Sequence, residues 1–490
     1  MDGITGLFSP GDKELVQKSF LATGAVQHRG KASAGLAVGG SKGIYVHKDI
    51  GGIVDVVDED ILRIFQDLEP VAAIGNVGYT KNKIPEKRNA EPILVTPKRD
   101  ARYTLVLTMN GRILEDDELQ AELEDAYVFD TANKTEVLGA LLHRCLEEQG
   151  VTFAAGRKLV DLLHGWGTFA LTALVYDGKE TALISLNDSR AFEPFCLGRV
   201  EDAFLVSSES CSHRRLGGHP ERECAGAEMT ICTSQGVETR RVRIETEMPD
   251  AFQPVYFGNI ASLYRGEEIF RLRMGLGHRL AKMYGDTDAD VVIPNPDSGR
   301  GVSYGIAAGL GKPLFPGLAK QAQAIRTFQE AGRSKRMREV AVKFAALDSV
   351  LAGQRIIVGD DSIVKGSVSE GGAVWSLYNA GATAVEFWVS YGPMFFPSFK
   401  EWRRGRDCLD ELAVQRAFRG DNPYDKTPEE ITARVRALLG VDRVCYNTPE
   451  NVRAVIGPGS YQALDASYPI SEHYWPAWLK EEIEHYRHYR

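Results

Sequence analysis

The feature that most constrains this chain is a change in the rhythm of its apolar residues near the middle. Up to about Ile244, short apolar or β-branched runs such as residues 169–176 and 229–232 are separated by Gly, Asp and Asn, a pattern that indicates β-strands. Residues 135–149 break this pattern and predict a helix, because Val137, Leu138, Leu141, Leu142 and Cys145 fall on one face. After Tyr256, helical stretches alternate with short buried strands such as residues 384–389. The first pattern predicts a strand-rich domain. The second predicts a parallel sheet with crossover helices.

The polar stretch at residues 243–254, which contains Pro249 and Pro254, is the best candidate for a domain boundary. A length of 490 residues, at about 150 residues per domain, is compatible with two or three domains. We therefore expect a first domain at residues 1–245, a second at 246–445, and a C-terminal helical extension of the second at 446–490.

Composition excludes several classes of protein. The chain has 58 basic and 67 acidic side chains and a formal net charge of -9, which disfavours a duplex nucleic-acid binder. Its 7 cysteines are scattered without CxxC spacing and are expected to be reduced, mostly buried thiols. No apolar run approaches the roughly 18 residues that span a bilayer. We expect a cytoplasmic protein with neither a membrane nor a nucleic acid as partner.

One segment after the boundary carries a pattern suited to a ribose 5-phosphate. Residues 353–369 read GQRIIVGDDSIVKGSVS, in which a buried strand ends in Asp360 and Asp361 and a loop containing Gly366 leads into a helix. Backbone amides and serine hydroxyls at a helix N-terminus can bind the phosphate, and the adjacent carboxylates can accept hydrogen bonds from two ribose hydroxyls. An isolated Asp-Asp-Ser after a strand is more often a helix cap, but this match extends well beyond a pair.

A second strand and loop repeat this arrangement with different residues. Residues 291–300 read VVIPNPDSGR, and the turn from Pro296 to Gly299 can offer backbone amides to a diphosphate. Asp297 can bind a hydrated Mg²⁺ through water, because this ion prefers oxygen ligands and keeps several waters. Taken alone, the turn is also typical of an ordinary loop.

Together the two segments resemble the type I phosphoribosyltransferase domain of the glutamine phosphoribosylpyrophosphate (PRPP) amidotransferase family, which catalyses the first committed step of purine synthesis. In that family the loops read close to VPVPDSGR and VDDSIVRGTTS. The resemblance implies that Asp360 and Asp361 hold the ribose hydroxyls, and we assign both of them, with Asp297, to Mg²⁺. The other implied PRPP contacts are the 5-phosphate loop Ser362, Ile363, Val364, Lys365, Gly366 and Ser367, the pyrophosphate turn Pro296, Asp297, Ser298 and Gly299, and Lys320 and Arg326 of a flexible loop.

Departures from the family pattern bear on the activity of this domain. The family carries Arg and Thr where this chain has Lys365 and Val368, and the loss of the threonine hydroxyl removes one phosphate donor between Ser367 and Ser369. Residues 320–325 lack the Arg-Tyr pair that closes over the substrate in the family. We therefore expect a weaker or differently timed closure.

The first half of the chain resembles the N-terminal-nucleophile glutaminase domain of the same family. The matching segments keep the family's order and comprise residues 2–8, 27–30, 89–92, 110–111, 129–136 and 207–210, with Asp188 and Arg190. The whole chain is thus predicted to fold as an α+β N-terminal-nucleophile (class II glutamine amidotransferase-like) αββα domain, followed by an α/β type I phosphoribosyltransferase domain with a parallel sheet.

The residues that would hydrolyse glutamine are replaced at three separate positions. A glutaminase of this type needs an N-terminal cysteine, whose thiolate attacks the amide and whose α-amine acts as base. The family carries that cysteine directly after the initiator Met, where this chain has Asp2. The arginine that holds the glutamine carboxylate is replaced by Gly78, and the aspartate that holds its α-amine by Lys134. We assign no catalytic residue to this domain.

Four residues of the glutaminase pattern remain: Arg29, Gly30, Asn110 and Gly111. In an active enzyme, Asn110 and the Gly111 amide would form the oxyanion hole. We favour a structural role, in which the glycines and asparagine hold turns and Arg29 pairs with a buried carboxylate. Some relatives also carry a four-cysteine iron-sulfur cluster. The corresponding segments here contain no cysteine, so the sequence predicts no cluster.

Three hypotheses for function remain open. The first is a Mg²⁺-dependent phosphoribosyltransferase that displaces pyrophosphate from PRPP with ammonia or another amine and does not hydrolyse glutamine. The alternative is a non-catalytic pseudoenzyme that binds PRPP or a nucleotide and regulates a partner. A third, an active glutaminase that uses Asp2, Thr5 or another nucleophile, requires the most changes. The expected partners are PRPP and a small amine, and the resemblance implies a homo-oligomer.

Overall fold

The computed structural model of the chain describes residues 1–79, 85–114, 116–320, 344–366, 372–398, 411–419, 421–465, 468, 475 and 477–481. These residues divide into two units. The first is built from Met1–Asp250 and Ala261–Gly266, and the second mainly from Ala251–Ile260 and Glu267–Tyr468.

The first unit contains two large antiparallel sheets. Its strands are β1 (Gly3–Phe8), β2 (Ser33–Gly40), β3 (Gly43–Ile50), β4 (Ala72–Gly78), β5 (Ile93–Leu94), β6 (Thr96–Pro97), β7 (Thr104–Ile113), β8 (Tyr127–Val128), β9 (Gly167–Tyr176), β10 (Thr181–Asn187), β11 (Cys196–Val200), β12 (Ala203–Ser207), β13 (His219–Glu223), β14 (Glu228–Thr233), β15 (Gly236–Arg241) and β16 (Leu263–Tyr264). One sheet has the order β13-β11-β12-β1-β4-β2-β3, and the other has the order β15-β14-β10-β9-β7-β5.

Helices cover the outer faces of these two sheets. They are α1 (Leu15–Ala25), α2 (Ile53–Val56), α3 (Glu59–Asp67), α4 (Asp116–Leu123), α5 (Thr135–Gln149), α6 (Phe153–Leu162) and α7 (Cys211–Arg215). One apolar cluster lies between the two sheets, a second joins α1 and α3 to the first sheet, and a third joins α5 and α6 to the second sheet. The layers therefore follow the order helix, sheet, sheet, helix, as the sequence predicts.

Helix α5 shows how the sequence specifies one of these layers. Its predicted apolar face, Val137, Leu138, Leu141, Leu142 and Cys145, is buried against the second sheet. The helix ends at Gly150, which has a φ of 73°, a left-handed conformation that favours glycine.

The second unit is built on a parallel sheet. Its elements are β17 (Glu267–Glu268), α8 (Ile269–Tyr284), β18 (Val291–Pro294), α9 (Arg300–Leu310), β19 (Leu318–Lys320), β20 (Phe344–Ala346), α10 (Asp348–Leu351), β21 (Arg355–Asp360), α11 (Ala373–Asn379), β22 (Ala384–Val389), α12 (Ala413–Ala417), α13 (Pro428–Leu439), β23 (Arg443–Tyr446), α14 (Pro449–Ile456) and α15 (Gln462–Asp465). A four-stranded sheet has the order β18-β21-β22-β23, all parallel, and β19 pairs with β20.

Apolar side chains cover both faces of the parallel sheet. Alternate residues of each strand point to opposite faces, so Ile356 and Val358 of β21 pack with α11 to α13, whereas Ile357 packs with α8 and α9. A sheet buried on both faces leaves its edges and strand ends as the places where polar groups can meet a ligand.

Two further expectations concern the cysteines and the membrane. The six cysteines within the described ranges are free and buried, and Cys408 lies outside those ranges. None of the helices that the structure describes combines the length and the apolar character needed to cross a bilayer.

Candidate active sites

The two loops that carry the phosphoribosyl motifs lie side by side at one edge of the parallel sheet. Strands β18 and β21 are neighbours, and Pro294 lies opposite Gly359. The main-chain nitrogen of Asn295 donates a hydrogen bond to the carbonyl oxygen of Gly359 at 3.0 Å. The turn at residues 296–299 and the loop at residues 361–366 therefore start from the carboxyl ends of adjacent strands, where open α/β sheets bind ligands.

Asp360 and Asp361 lie at the end of β21 and are only 5% and 4% exposed. The carboxylate of Asp360 accepts hydrogen bonds from Nδ2 of Asn295 and from the main-chain nitrogen of Asp361, both at 2.9 Å. The carboxylate of Asp361 accepts from Oγ of Ser362 at 2.5 Å and from the side chain of Ser298. Each carboxylate presents about four lone-pair positions, so both keep capacity to accept hydrogen bonds from hydroxyl groups.

Burial raises the pKa of both carboxyl groups. At Asp360 the charge of Asp361 raises the pKa further. At Asp361 the hydrogen bonds from Ser298 and Ser362 and the charge of Arg273 oppose the rise. A ligand that supplies hydrogen-bond donors or a cation would stabilise the charged form of this pair.

Two glycines allow the turn, the strand and the following helix to approach one another. A Cβ atom on Gly299 would lie 2.2 Å from the carbonyl oxygen of Gly359, and one on Gly359 would lie 2.2 Å from Oγ of Ser303 in α9. A larger residue at either position would push these elements apart. The N-terminus of α9 is thus held beside the sheet edge, a geometry in which helix amide groups bind anions.

Asp297 differs from the buried pair because its side chain is 52% exposed. Its carboxylate lies 3.0 Å from the guanidinium of Arg300. Across the described ranges, no three acidic, histidine or cysteine side chains are grouped so as to enclose a metal ion. Mg²⁺ is usually bound by one or two carboxylates together with substrate phosphates and water. The oxygen donors of Asp297, Asp360 and Asp361 therefore fit a hydrated Mg²⁺ that arrives with a diphosphate.

The predicted 5-phosphate loop leaves the sheet directly after Asp361. Ile363 is buried in the apolar core, and Gly366 has a φ of 69°, which favours glycine. The ammonium group of Lys365 is paired with the carboxylate of Glu411.

Of three other predicted PRPP contacts, one lies within the described residues. Lys320 is the last residue of β19. Ser367 and Arg326 lie outside the described residues.

In the first unit, Asp2, which the resemblance assigns to the position of the glutaminase nucleophile, lies directly before β1. Its main-chain nitrogen donates to Oδ1 of Asn110 at 3.2 Å, and its carbonyl oxygen accepts from Nε of Arg29 at 2.9 Å. Its carboxylate accepts a hydrogen bond from the main-chain nitrogen of Tyr79 at 2.7 Å. The side chain at this position therefore takes part in a structural hydrogen bond and carries no thiol.

The prediction that Arg29 pairs with a buried carboxylate is confirmed. Its NH1 atom donates to Oε1 of Glu209 at 2.7 Å. Glu209 also lies 2.9 Å from Nε2 of His28 and accepts from Oγ of Ser262 at 2.8 Å. Burial raises the pKa of Glu209, but the bonds and charges of His28 and Arg29 outweigh it and hold the pKa well below its usual range. Arg29 and Glu209 thus form a structural ion pair inside the first unit.

The resemblance assigns glutamine-binding residues to positions 78 and 134, which are Gly78 and Lys134 in this chain. Gly78 ends β4, and a Cβ atom at this position would lie 2.4 Å from Oγ of Ser33. Lys134 directly precedes α5, and its ammonium lies 3.1 Å from the carboxylate of Asp117, with both side chains largely exposed. The first position has no side chain, and the second carries the opposite charge to an aspartate.

Glu91 is a buried acid that the sequence analysis did not single out. One carboxylate oxygen accepts hydrogen bonds from Nδ2 of Asn133 at 3.1 Å and Oγ1 of Thr135 at 2.5 Å. The other accepts from Nδ2 of Asn76 at 3.2 Å and the main-chain nitrogen of Met109 at 2.8 Å. The only signal in the sequence was that Glu91 lies in a segment that matches the family.

The carboxylates of Asp2 and Glu91 lie close enough in the first unit for their charges to interact. Burial raises the pKa of Glu91 to about 8, and the charge of Asp2 adds to the rise. The negative charge of Asp2 therefore favours the protonated form of Glu91.

Asn295 is the second residue that the sequence analysis missed. Its side chain joins the two loops of the predicted phosphoribosyl site through Asp360. A polar residue directly after a buried strand was the signal that could have identified it.

Comparisons with known proteins cover both halves of the chain. A glutamine amidotransferase domain family matches residues 84–212. The amidophosphoribosyltransferase of Archaeoglobus fulgidus is 31% identical over 480 residues, which cover 96% of this chain and 98% of that protein. The amidophosphoribosyltransferase of Synechococcus elongatus is 30% identical over 484 residues, which cover 96% of this chain and 91% of that protein.

Two solved structures share the fold over almost the whole chain. Glutamine PRPP amidotransferase from B. subtilis, complexed with ADP and GMP, superposes with a TM-score of 0.80 at 24% identity, covering 98% of this chain and 100% of that one. A structure described as the allosteric regulatory enzyme of purine biosynthesis has a TM-score of 0.81 at 25% identity and covers 98% of both chains. The predicted order of an amidotransferase domain and a type I phosphoribosyltransferase domain is thus confirmed, and the chain belongs to the amidophosphoribosyltransferase family.

Proposed function

We propose that this protein is a PRPP-dependent phosphoribosyltransferase that displaces pyrophosphate with ammonia or another small amine and does not hydrolyse glutamine. The observation that carries the proposal is the contrast between its two sites. The carboxylates and glycines of the phosphoribosyl motifs meet at one sheet edge, whereas the glutaminase position carries Asp2 in a structural hydrogen bond.

In the proposed reaction, the chain's residues mainly bind and orient PRPP. Asp360 and Asp361 accept hydrogen bonds from the two ribose hydroxyls, and the amides of the turn at residues 296–299 face the pyrophosphate. The lone pair of the amine nitrogen attacks C1 as the C1–O bond breaks. Pyrophosphate leaves with the bonding electron pair of the broken C1–O bond, and the nitrogen then releases a proton to solvent. With ammonia the product is phosphoribosylamine.

The transition state of such a displacement resembles an oxocarbenium ion, so positioning of the ribose supplies much of the rate enhancement. When bound through Asp297, Asp360 and Asp361, Mg²⁺ would neutralise charge that develops on the leaving pyrophosphate. Asn295 and Ser362 donate hydrogen bonds to Asp360 and Asp361. These bonds and the burial of both carboxylates hold the two side chains in place before the ligand arrives.

Three features support the absence of glutamine hydrolysis. Asp2 provides no thiolate. Gly78 provides no cation for the glutamine carboxylate, and Lys134 would repel its α-ammonium group. Asn110, which would form part of an oxyanion hole, accepts a hydrogen bond from the main chain of Asp2 and donates one from Nδ2 to Glu193 at 2.9 Å.

The proposal is tested by incubating the protein with PRPP and Mg²⁺ and with either glutamine or ammonium at raised pH. Pyrophosphate and glutamate are measured in parallel. We expect pyrophosphate with ammonium and no glutamate from glutamine. Pyrophosphate release that is as efficient with glutamine as with ammonium would reject the loss of glutaminase activity.

A double variant tests the assignment of the PRPP site. Replacing Asp360 and Asp361 together by asparagine removes both charges while nearly keeping their shape, and it should abolish PRPP binding in calorimetry. The matched control is Asp348→Asn with Asp421→Asn, two exposed acids of the second unit that lie outside the PRPP motifs. An unchanged affinity in the first variant would reject the site.

The second candidate function is a regulator that binds PRPP or a nucleotide without catalysis. The structural neighbour from B. subtilis is described as complexed with ADP and GMP, and the positions of Lys365 and Val368 depart from the family pattern. Binding of PRPP or a purine nucleotide without pyrophosphate release, whichever amine is supplied, would favour this alternative.

A further inference from the structure

A short segment of the second unit holds the proposed 5-phosphate loop from one side. We call residues 362–366 the phosphate loop and residues 411–419 the supporting segment. The main-chain nitrogen of Ala413 donates a hydrogen bond to the carbonyl oxygen of Val364 at 2.7 Å. The NH1 atom of Arg416 donates to the carbonyl oxygen of Lys365 at 2.7 Å. Two consecutive carbonyl groups of the phosphate loop are therefore bound by donors of the supporting segment.

These two bonds also orient the amide groups of the phosphate loop. In a planar trans peptide unit, the C=O of one residue and the N–H of the next point in opposite directions. With the carbonyls of Val364 and Lys365 directed at the supporting segment, the N–H groups of Lys365 and Gly366 are directed away from it. A phosphate needs N–H groups turned toward it and carbonyl oxygens turned away.

The two donors of the supporting segment differ in how firmly they are held. Leu412, Ala413 and Val414 are buried, so the main-chain nitrogen of Ala413 is placed by the core. On the loop side, Ile363 is buried in the same apolar cluster as Ala413 and Val414. The next residue of the loop, Lys365, is exposed, and its carbonyl is bound by the side chain of Arg416. The orientation of the Lys365–Gly366 peptide unit thus depends on Arg416.

We infer that Arg416 is a positioning residue for phosphate binding, which holds the Lys365–Gly366 peptide unit with its N–H group toward the ligand. This inference rests on the proposed function. It concerns the phosphate monoester end of the ligand, because Arg416 acts on the loop after β21 and not on the turn after β18. The ion pair of Lys365 with Glu411 links the same residue of the loop to the supporting segment a second time.

The test compares two ligands that occupy different parts of the site. Ribose 5-phosphate carries the phosphate monoester, whereas pyrophosphate carries only the leaving group, and both are titrated in the presence of Mg²⁺ by calorimetry. We expect Arg416→Met to weaken ribose 5-phosphate binding about tenfold, the effect of losing one charged hydrogen bond. Pyrophosphate affinity should not change.

Two further variants separate positioning from a general loss of structure. Arg416→Lys keeps a charged donor and should recover part of the affinity for ribose 5-phosphate. Arg419→Met removes an exposed arginine of the same supporting segment and should bind both ligands as the wild type does. Wild-type affinity in Arg416→Met, or an equal loss for both ligands, would overturn the role of Arg416. If the wild-type protein binds neither ligand, the proposed function fails and this role fails with it.

Discussion

The side-chain amide of Asn295 donates a hydrogen bond to the carboxylate of Asp360 at 2.9 Å, and both side chains are buried. Asn295 follows β18 and Asp360 ends β21, so this bond joins the two loops of the proposed phosphoribosyl site. The turn expected to face pyrophosphate and the carboxylates expected to face ribose are therefore parts of one hydrogen-bonded structure.

Removing this amide should affect both stability and ligand binding. Asn295→Ala leaves a buried carboxylate oxygen without its donor, which should lower the free energy of unfolding by about 1–3 kcal/mol. Asn451→Ala, at an exposed contact of the same unit, should change it by less than about 0.5 kcal/mol. Urea denaturation measures both variants, and calorimetry with PRPP and Mg²⁺ should show weaker binding for Asn295→Ala. Equal stability of the two variants would contradict the structural role of Asn295.

The close approach at Gly299 leads to a second prediction. A Cβ atom at this position would lie 2.2 Å from a carbonyl oxygen, so Gly299→Ala should displace the turn and cost roughly 1–3 kcal/mol of stability. Gly24→Ala is the matched control, because Gly24 is in α1 and a Cβ atom there meets its nearest neighbour at 3.6 Å. That variant should gain about 0.5–1 kcal/mol. Thermal unfolding compares them, and a Gly299→Ala protein as stable as the control would be inconsistent with the packing described.

Restoring the nucleophile alone should not restore glutaminase activity. Asp2→Cys supplies a thiol, but Gly78 still provides no cation and Lys134 still repels an α-ammonium group. We expect no glutamate from glutamine with this variant or with Asp2→Ser as control. The triple variant Asp2→Cys, Gly78→Arg, Lys134→Asp supplies all three groups and is expected to be the first to release glutamate. Glutamate release by Asp2→Cys alone would show that the clamps are dispensable.

The buried carboxyl of Glu91 should make the stability of the first unit depend on pH. Its pKa is raised to about 8 in the folded protein, whereas an unfolded glutamate titrates near 4.3. Between these values the folded protein holds a proton that the unfolded chain has released. The free energy of unfolding should therefore fall as pH rises across this window, by at most about 1.4 kcal/mol per pH unit.

Glu91→Gln removes this titration while keeping a side chain of similar shape. The difference in unfolding free energy between Glu91→Gln and wild type should therefore grow in favour of the variant from pH 5 to pH 8. Denaturant unfolding at both pH values measures it, with Glu180→Gln as an exposed control that should follow the wild type. A parallel pH dependence of wild type and Glu91→Gln would mean that Glu91 is ionised throughout.

Local patterns were sufficient for much of the fold. The apolar spacing of residues 135–149 predicted a helix that forms over the same residues, because one buried face is visible in the order of the side chains. The strand at residues 384–389 was predicted with the same bounds, since a short apolar run between turn residues is typical of a buried parallel strand. Strand order was not predicted, because it depends on contacts between distant segments.

For the sites, the order of the residues is enough to identify the chemical groups of each motif: two carboxylates after β21, a Pro-Asp-Ser-Gly turn after β18, and no cysteine at position 2. Which distant groups pair with them depends on the packing of the folded chain. Asn295 meets Asp360, Arg29 meets Glu209, and Glu91 accepts hydrogen bonds from four donors in three other segments. A buried polar group needs a hydrogen-bond partner, and the packing of the sheets decides which segment supplies it. That pairing cannot be read from the spacing of residues along the chain.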